Sequence, residues 1–131
     1  MAKMIHSMIR VLDVKRSTQF YQDILNLEIK RTLNFDGFDL HYLGNNESDF
    51  ELELTVNHDK TKPYILGDGY GHLAFSAQNI EALHEKAVKL GYQPRPIKSF
   101  YNDDELVAKF FFIADPDGYE IEVIERSEAY H

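Results

Sequence analysis

The sequence predicts an α+β fold made of two copies of a βαβββ module, each folded into a curved mixed sheet. The order strand, helix and three strands occurs twice, over about residues 3–57 and 70–126. A histidine opens each copy and a glutamate stands on its closing strand, at nearly equal offsets: 53 − 6 = 47 and 122 − 72 = 50. No linker or low-complexity segment separates the copies, so we expect residues 1–131 to form one domain.

The first copy opens with a strand and a helix. Residues 4–11 alternate as a strand does, with His6 on the face opposite the isoleucines. Asp13 is suited to cap a helix over about residues 15–24, where apolar residues recur at helical spacing. Asn26 is expected to end that helix, because asparagine tolerates the left-handed conformation found at helix C-termini.

Three strands complete the first copy. Residues 27–35 and 38–43 flank Asp36-Gly37, a dipeptide typical of β-hairpin turns. Residues 50–57 show the cleanest alternation in the chain, which predicts a strand with one apolar and one polar face. The polar face carries Glu51, Glu53, Thr55 and Asn57.

The second copy follows the same order. A strand over residues 71–76 carries His72, and Asn79 is suited to cap a helix that runs to Leu90. Three strands are then expected: residues 92–97, which two prolines confine to a sheet edge, residues 106–114, and residues 119–125 after the turn sequence Asp115-Pro116-Asp117-Gly118.

Composition excludes several classes of function. The net charge is −8, from 14 basic and 22 acidic residues, and no basic run is present, which argues against binding to nucleic acid. No stretch approaches the ~20 apolar residues of a membrane span, and the N-terminus does not resemble a signal peptide. The chain has no cysteine, which excludes disulfides and thiolate metal ligands and favours a cytoplasmic protein.

The matched histidines and glutamates are candidate metal ligands. If the first and last strands of each copy are neighbours in a curved sheet, one imidazole and one carboxylate point into the same concavity. Two such pairs suit Ni²⁺, Co²⁺, Mn²⁺ or Fe²⁺, with Zn²⁺ possible at expanded coordination. Such an ion polarises carbonyl or hydroxyl oxygens, and a carboxylate released from it can act as a base. Taken singly, each of these residues is also typical of a solvent-exposed strand face.

Several short motifs together resemble those of a known family. They are His6, Arg10, Asp13, Ser17 with Phe20-Tyr21, Glu53-Leu54-Thr55 with Asn57, Gly71-His72, Asp115-Pro116-Asp117-Gly118-Tyr119 and Ile121-Glu122. In these motifs the chain resembles glyoxalase I (lactoylglutathione lyase) of the vicinal oxygen chelate superfamily. The resemblance runs over about residues 3–125, nearly the whole chain.

The resemblance implies a fold and a reaction. The fold is paired βαβββ modules, in agreement with the repeated order. The family isomerises the hemithioacetal of methylglyoxal and glutathione to S-D-lactoylglutathione through an enediolate. The short chain resembles the bacterial members that prefer Ni²⁺ or Co²⁺. The family also implies a homodimer whose metal sites lie at the interface and are completed by both chains.

The resemblance further implies roles for particular residues. Arg10 and Asn57 match residues that hold the γ-glutamyl group of glutathione. Glu122 matches the catalytic base, and Glu53 matches a second carboxylate that can also move protons. The four implied metal ligands are His6, Glu53, His72 and Glu122.

One region departs from the family's pattern. Where the family has a Gly/Lys-rich loop that grips the glycyl carboxylate, residues 97–105 are acidic and aromatic, with only Lys98 (or nearby Arg95) as a cation. Lys98 is the expected contact for the glycyl carboxylate. Another thiol or a ketone remains an alternative to glutathione. Other metal-dependent members of the superfamily (a dioxygenase, an epimerase or a thiol transferase) and a small-molecule binding or resistance protein are the competing functions. Four candidate ligands favour glyoxalase I over these.

Overall fold

The computed structural model describes residues 1–131 as two compact units, Met1–Ile65 and Leu66–His131. Each unit contains a strand, a helix and three further strands in that order, which confirms the α+β class and the duplication. Each forms one four-stranded mixed sheet. The organisation of both repeats into one domain stays a prediction. Both helices fall short of the length and apolar content that a membrane-spanning helix requires.

The first unit places its first and last strands side by side. Its β1 runs parallel to β4, and the remaining pairs are antiparallel, in the order β1-β4-β3-β2. The first and last strands of the repeat are therefore neighbours, as a shared concavity requires. The elements are β1 (His6–Arg10), α1 (Val14–Leu25), β2 (Glu28–Phe35), β3 (Phe38–Asn45) and β4 (Ser48–Asn57).

The second unit repeats this topology. Its sheet has the order β5-β8-β7-β6, with β5 parallel to β8 and the other pairs antiparallel. Here too the first and last strands are adjacent. The elements are β5 (Leu73–Ala77), α2 (Ile80–Lys89), β6 (Lys98–Asn102), β7 (Glu105–Ala114) and β8 (Glu120–Glu125).

The helix caps follow from local sequence. The Asp13 carboxylate accepts hydrogen bonds from the backbone N–H groups of Lys15 and Arg16, and Asn26 ends α1 in the left-handed conformation, with φ 55°. The buried stripe of α1, which includes Phe20, Tyr21 and Ile24, is what the helical spacing predicted. Each such side chain contributes roughly 1.5–3 kcal/mol by leaving water.

The turn between β7 and β8 is held by a buried carboxylate. Asp115 is 4% exposed and accepts hydrogen bonds from the N–H groups of Asp117 and Tyr119, both at 2.9 Å. Gly118 has φ 96°, which L side chains rarely adopt, so glycine suits this position. After this turn β8, which carries Glu122, pairs antiparallel with β7 and parallel with β5.

Two expectations about strand positions are wrong. Residues 92–97 do not form a strand; β6 begins at Lys98 instead. Two prolines remove N–H donors from the 92–97 segment, and Arg95 between them keeps one ladder-like bond, from its N–H to the Phe112 carbonyl at 2.8 Å. The acidic 97–105 segment is therefore mostly a β-hairpin, not a loop. His72 also lies just before β5 instead of within it.

Candidate active site

The first histidine–glutamate pair joins the neighbouring strands β1 and β4 of the first sheet. The His6 Nε2 atom is 3.5 Å from a Glu53 carboxylate oxygen. Parallel pairing of β1 with β4 puts Met8 beside Glu53 and His6 beside Glu51, so His6 reaches Glu53 along the same face. Glu53 is only 8% exposed. A polar strand face is usually exposed to solvent, but here Glu53 is buried. We call His6 and Glu53 the first half-site.

An aromatic residue and an arginine surround this pair. Tyr42 lies directly opposite Glu53 on antiparallel β3. The interaction of its hydroxyl with the Glu53 carboxylate first, and burial second, raise the pKa of Tyr42. The His6 ring meets the Tyr42 ring edge-on at 5.9 Å. The Arg31 guanidinium stacks over the same ring at 4.0 Å and pairs with Glu51 at 3.4 Å.

The second pair has the corresponding position in the second sheet. The His72 Nε2 atom is 3.2 Å from a Glu122 carboxylate oxygen. Phe112 lies opposite Glu122 on β7, and its ring meets the His72 ring edge-on at 5.2 Å. Arg95 lies over Phe112 at 5.6 Å and pairs with Glu120. We call His72 and Glu122 the second half-site.

Both half-sites fit a divalent metal ion. Two ligand atoms bound at about 2.1 Å, with angles of about 90–109° between them, lie about 3.0–3.4 Å apart. The nitrogen–oxygen separation of 3.2 Å in the second half-site falls within this range, and that of 3.5 Å in the first lies just beyond it. No group of three or more His, Asp or Glu side chains in the chain is arranged to hold a metal ion. Each half-site therefore offers two side chains at ligand spacing and is not a complete metal site by itself.

Two of the predicted glutathione contacts, Arg10 and Asn57, are hydrogen-bonded to each other. An Arg10 guanidinium nitrogen donates to the side-chain oxygen of Asn57 at 2.9 Å, although 47 residues separate them. The Tyr64 hydroxyl donates to the same oxygen at 3.2 Å. Arg10 is exposed and lies on the strand that carries His6, while Asn57 ends the strand that carries Glu53. The first unit thus places a cation and an amide on the elements of its half-site.

The second half-site opens on a cavity of about 530 Å³. Lys98, the predicted contact for a substrate carboxylate, lies in its wall. Sequence reasoning missed the aromatic part of this wall and the position of Arg95. The available signal was the Phe110–Phe112 run, because its alternate members share one strand face. The cavity is lined by His72, Arg95, Pro96, Lys98, Ser99, Phe100, Phe110, Phe112 and Glu122.

Fold and site together define a class of protein: duplicated βαβββ modules, each with one histidine and one glutamate side by side. The sequence profile of the Glyoxalase/Bleomycin resistance protein/Dioxygenase superfamily matches residues 3–123. A lactoylglutathione lyase of Haemophilus influenzae is 36% identical, and the alignment covers 95% of this chain and 93% of that protein.

Solved structures agree with this class. A trypanothione-dependent glyoxalase I of Leishmania major is 32% identical with a TM-score of 0.77, over 95% of this chain and 87% of that one. Glyoxalase I of Zea mays is 26% identical with a TM-score of 0.84, over 96% of this chain but 45% of that one, so the chain spans about half its length. The chain belongs to this superfamily and, within it, to the glyoxalase I lyases.

Proposed function

We propose that the protein is a metal-dependent glyoxalase I that isomerises the hemithioacetal of methylglyoxal and glutathione to S-D-lactoylglutathione. The observation that carries this proposal is the pair of half-sites at metal-ligand spacing, one in each unit. The Haemophilus influenzae relative bears the name of this activity. The substrate follows from that relationship and from the polar and cationic side chains near both half-sites.

The proposed metal ligands are His6, Glu53, His72 and Glu122. Two imidazoles and two carboxylates leave room for further ligands on an octahedral ion, so we favour Ni²⁺ or Co²⁺, with Zn²⁺ as a possible substitute. When bound, the ion polarises the substrate's carbonyl and hydroxyl oxygens as a Lewis acid.

The proposed chemistry is a proton transfer between adjacent carbons. Glu122 takes the proton from the carbon that carries sulfur, and the C–H electron pair moves toward the neighbouring carbonyl. Glu122 then returns the proton to the former carbonyl carbon, so that the hydroxyl and carbonyl exchange places. The isomerisation is redox-neutral overall and needs no co-reactant. Glu53 is the second carboxylate able to exchange protons with the substrate oxygens.

The thiol would be held by side chains of both units. Arg10 and Asn57 are the proposed partners of the γ-glutamyl group, and their mutual hydrogen bond holds the guanidinium ready for a carboxylate. Lys98 is the proposed contact for the other carboxylate. Its ammonium forms no ion pair within the chain, whereas Arg95 is already paired with Glu120.

The proposed assembly is a homodimer with metal sites at the interface. A four-ligand site needs both half-sites, and apolar side chains on the first unit are open to a partner. Met4 is 82% exposed, Ile5 60% and Phe35 48%. Large apolar side chains left exposed in this way are available to an interface with a second chain. The absence of cysteine supports the further proposal that the protein works in the cytoplasm.

A thioester-forming assay tests the proposal. The purified, metal-depleted protein is loaded with Ni²⁺, Co²⁺ or Zn²⁺ and mixed with methylglyoxal and glutathione, and thioester absorbance is followed. Bound metal is quantified in the same samples. We expect turnover with at least one ion, greatest with Ni²⁺ or Co²⁺. Metal binding without thioester formation from glutathione would contradict the proposed substrate. A parallel reaction with trypanothione would test whether another thiol is used.

A further inference from the structure

One wall of the cavity beside the second half-site is a segment that lies outside the sheet. Arg95 and Pro96 line the cavity, yet residues 90–97 form neither helix nor strand. The corresponding link in the first unit, between α1 and β2, is residues 26–27 alone. The second unit thus has a longer connection between its helix and its edge strand, and this connection reaches the cavity.

The sheet holds this segment weakly. Pro94 and Pro96 have no N–H group to donate to a neighbouring strand. Between them, the Arg95 N–H donates to the Phe112 carbonyl of β7 at 2.8 Å. A single bond of this kind lets the segment pivot about it, so the position of the cavity wall depends on further contacts.

His84 on α2 makes such a contact. Its Nε2 atom is 2.9 Å from the Arg95 carbonyl oxygen. Because a carbonyl oxygen can only accept, Nε2 carries the hydrogen and donates it. The His84 ring also meets the ring of Phe111 edge-on at 5.1 Å, and Phe111 is fully buried in the core. His84 therefore joins the core of the second unit to the segment that borders the cavity.

Arg95 is fixed by this contact at both of its backbone polar groups. Its N–H is bonded to Phe112 and its carbonyl to His84. Its guanidinium lies over the Phe112 ring at 5.6 Å and pairs with Glu120. Pro96 follows directly with a restricted φ, so fixing Arg95 also fixes the next part of the wall.

We propose that His84 is a positioning residue for the substrate cavity, and that its hydrogen bond to the Arg95 carbonyl holds the wall of residues 94–96 against β7. His84 is not among the residues that line the cavity, so it acts on the substrate through Arg95 and Pro96. The effect on the substrate rests on the proposed function, whereas the effect on the wall rests on the geometry of the second unit alone.

Two substitutions separate the hydrogen bond from the packing of the ring. His84→Phe keeps an aromatic ring against Phe111 and removes the donor. His84→Gln keeps an N–H donor at similar reach and removes the ring. His131→Phe is the matched control, because His131 also contacts a backbone carbonyl, that of Glu128 at 2.8 Å, at the end of the chain. Urea unfolding of each variant measures the change in stability.

Amide hydrogen exchange tests the position of the wall without any turnover. In His84→Phe the Arg95 amide should exchange about 5-fold faster, as expected for one lost hydrogen bond. The amides of β8 should be unchanged in this variant, which separates loosening of the wall from global unfolding. In His84→Gln and His131→Phe the Arg95 amide should exchange nearly as in the wild type. Equal exchange of this amide in His84→Phe and the wild type would overturn the proposal.

Kinetics at saturating metal tests whether the wall serves the substrate. KM for the hemithioacetal should rise about 5-fold in His84→Phe with little change in kcat, because the wall contacts bound substrate and takes no part in proton transfer. His84→Gln should keep a KM close to that of the wild type, although the lost ring contact lowers its stability. Unchanged KM in His84→Phe, or an equal rise in His84→Gln, would overturn the role of the hydrogen bond. If the wild type itself shows no turnover, the proposed function fails, and the exchange of the Arg95 amide alone decides the role of His84.

Discussion

The two half-sites pair the same two residue types, histidine and glutamate, in different surroundings. Around the first, hydrogen bonds tie the polar side chains together: Arg10 and Tyr64 both donate to Asn57. Around the second, His72 and Glu122 face a cavity of about 530 Å³ with aromatic walls. Polar side chains near the first half-site are therefore hydrogen-bonded to one another, whereas the carboxylate of the second lines a cavity. Duplication of the fold and of its histidine–glutamate pair does not duplicate the surroundings of each pair.

The largest expected effect separates the two carboxylates. Glu122→Gln should lower kcat by about 10³-fold, because general base catalysis typically contributes 10²–10⁴-fold. Glu53→Gln should weaken metal binding and recover part of its activity when metal is added in excess. Steady-state kinetics across a metal titration distinguishes the two patterns. Glu105→Gln, the same change at an exposed position on β7, is the control. Equal kcat losses at saturating metal would show that the carboxylates are interchangeable.

The next prediction asks whether the half-sites work across two chains. His6→Ala damages the first half-site and Glu122→Ala the second, so each homogeneous variant should be inactive. After subunit exchange, half of the dimers should be mixed, and one of their two sites should have four intact ligands. Activity should therefore return to about a quarter of the wild-type value.

A different outcome of the mixing experiment would contradict a site shared between two chains. If each site were made by one chain, every site in the mixture would still lack a ligand and no activity would return. Exchange itself is verified by mass spectrometry of differently tagged chains. A mixture of His6→Ala with Glu53→Ala is the matched control, because both changes fall in the first half-site and no intact site can form.

Much of the fold was predictable because its signals are local. Asp13, Asn26 and the alternation of residues 50–57 each act within a few residues, and all three have the predicted roles. The first and last strands of each repeat are neighbours, as the proposed shared concavities required. The edge strand expected over residues 92–97 does not form, because Pro94 and Pro96 have no N–H group to donate to a sheet ladder.

The surroundings of the ligands were less predictable because they depend on strand register. Tyr42 meets Glu53 only because β3 and β4 pair in one particular alignment, which includes an irregularity between Leu43 and Asn45. A shift of one residue would place Tyr42 on the other face of the sheet. Likewise, Arg95 covers Phe112 through an irregular segment whose path no sequence pattern indicated.

A smaller effect compares the cations of the two units. Arg10→Ala should raise KM for the hemithioacetal by about 10-fold, because it removes a charge-assisted contact that an aligned guanidinium makes well. Lys98→Ala should raise KM by about 3-fold, since an exposed ammonium on a flexible stem contributes less. Neither change should alter kcat much. Lys89→Ala, which removes an exposed cation on α2, is the control for a general loss of positive charge. A larger effect from Lys98 would place the main carboxylate contact in the second unit.

The smallest expected effects concern the two helix caps. Asp13 has φ −134° and caps α1 through two N–H groups, whereas Asn79 is left-handed with φ 54° and caps α2 through the N–H of Ala82. The Glu125 carboxylate also accepts from the N–H groups of Asn79 and Ile80, so α2 has a second cap. Asp13→Ala should therefore destabilise the protein by about 1 kcal/mol through the lost cap alone.

Asn79→Ala should lose less from capping, because Glu125 remains, but should add about 1 kcal/mol for alanine in the left-handed conformation. Glycine adopts this conformation without strain, so Asn79→Gly should recover most of the loss, whereas Asp13→Gly has no such strain to relieve. Urea unfolding of the four variants measures these differences. Equal stabilities for Asn79→Ala and Asn79→Gly would show that the left-handed backbone at the start of α2 adds no cost. Capping alone would then account for the difference in unfolding free energy between the Asp13 and Asn79 variants.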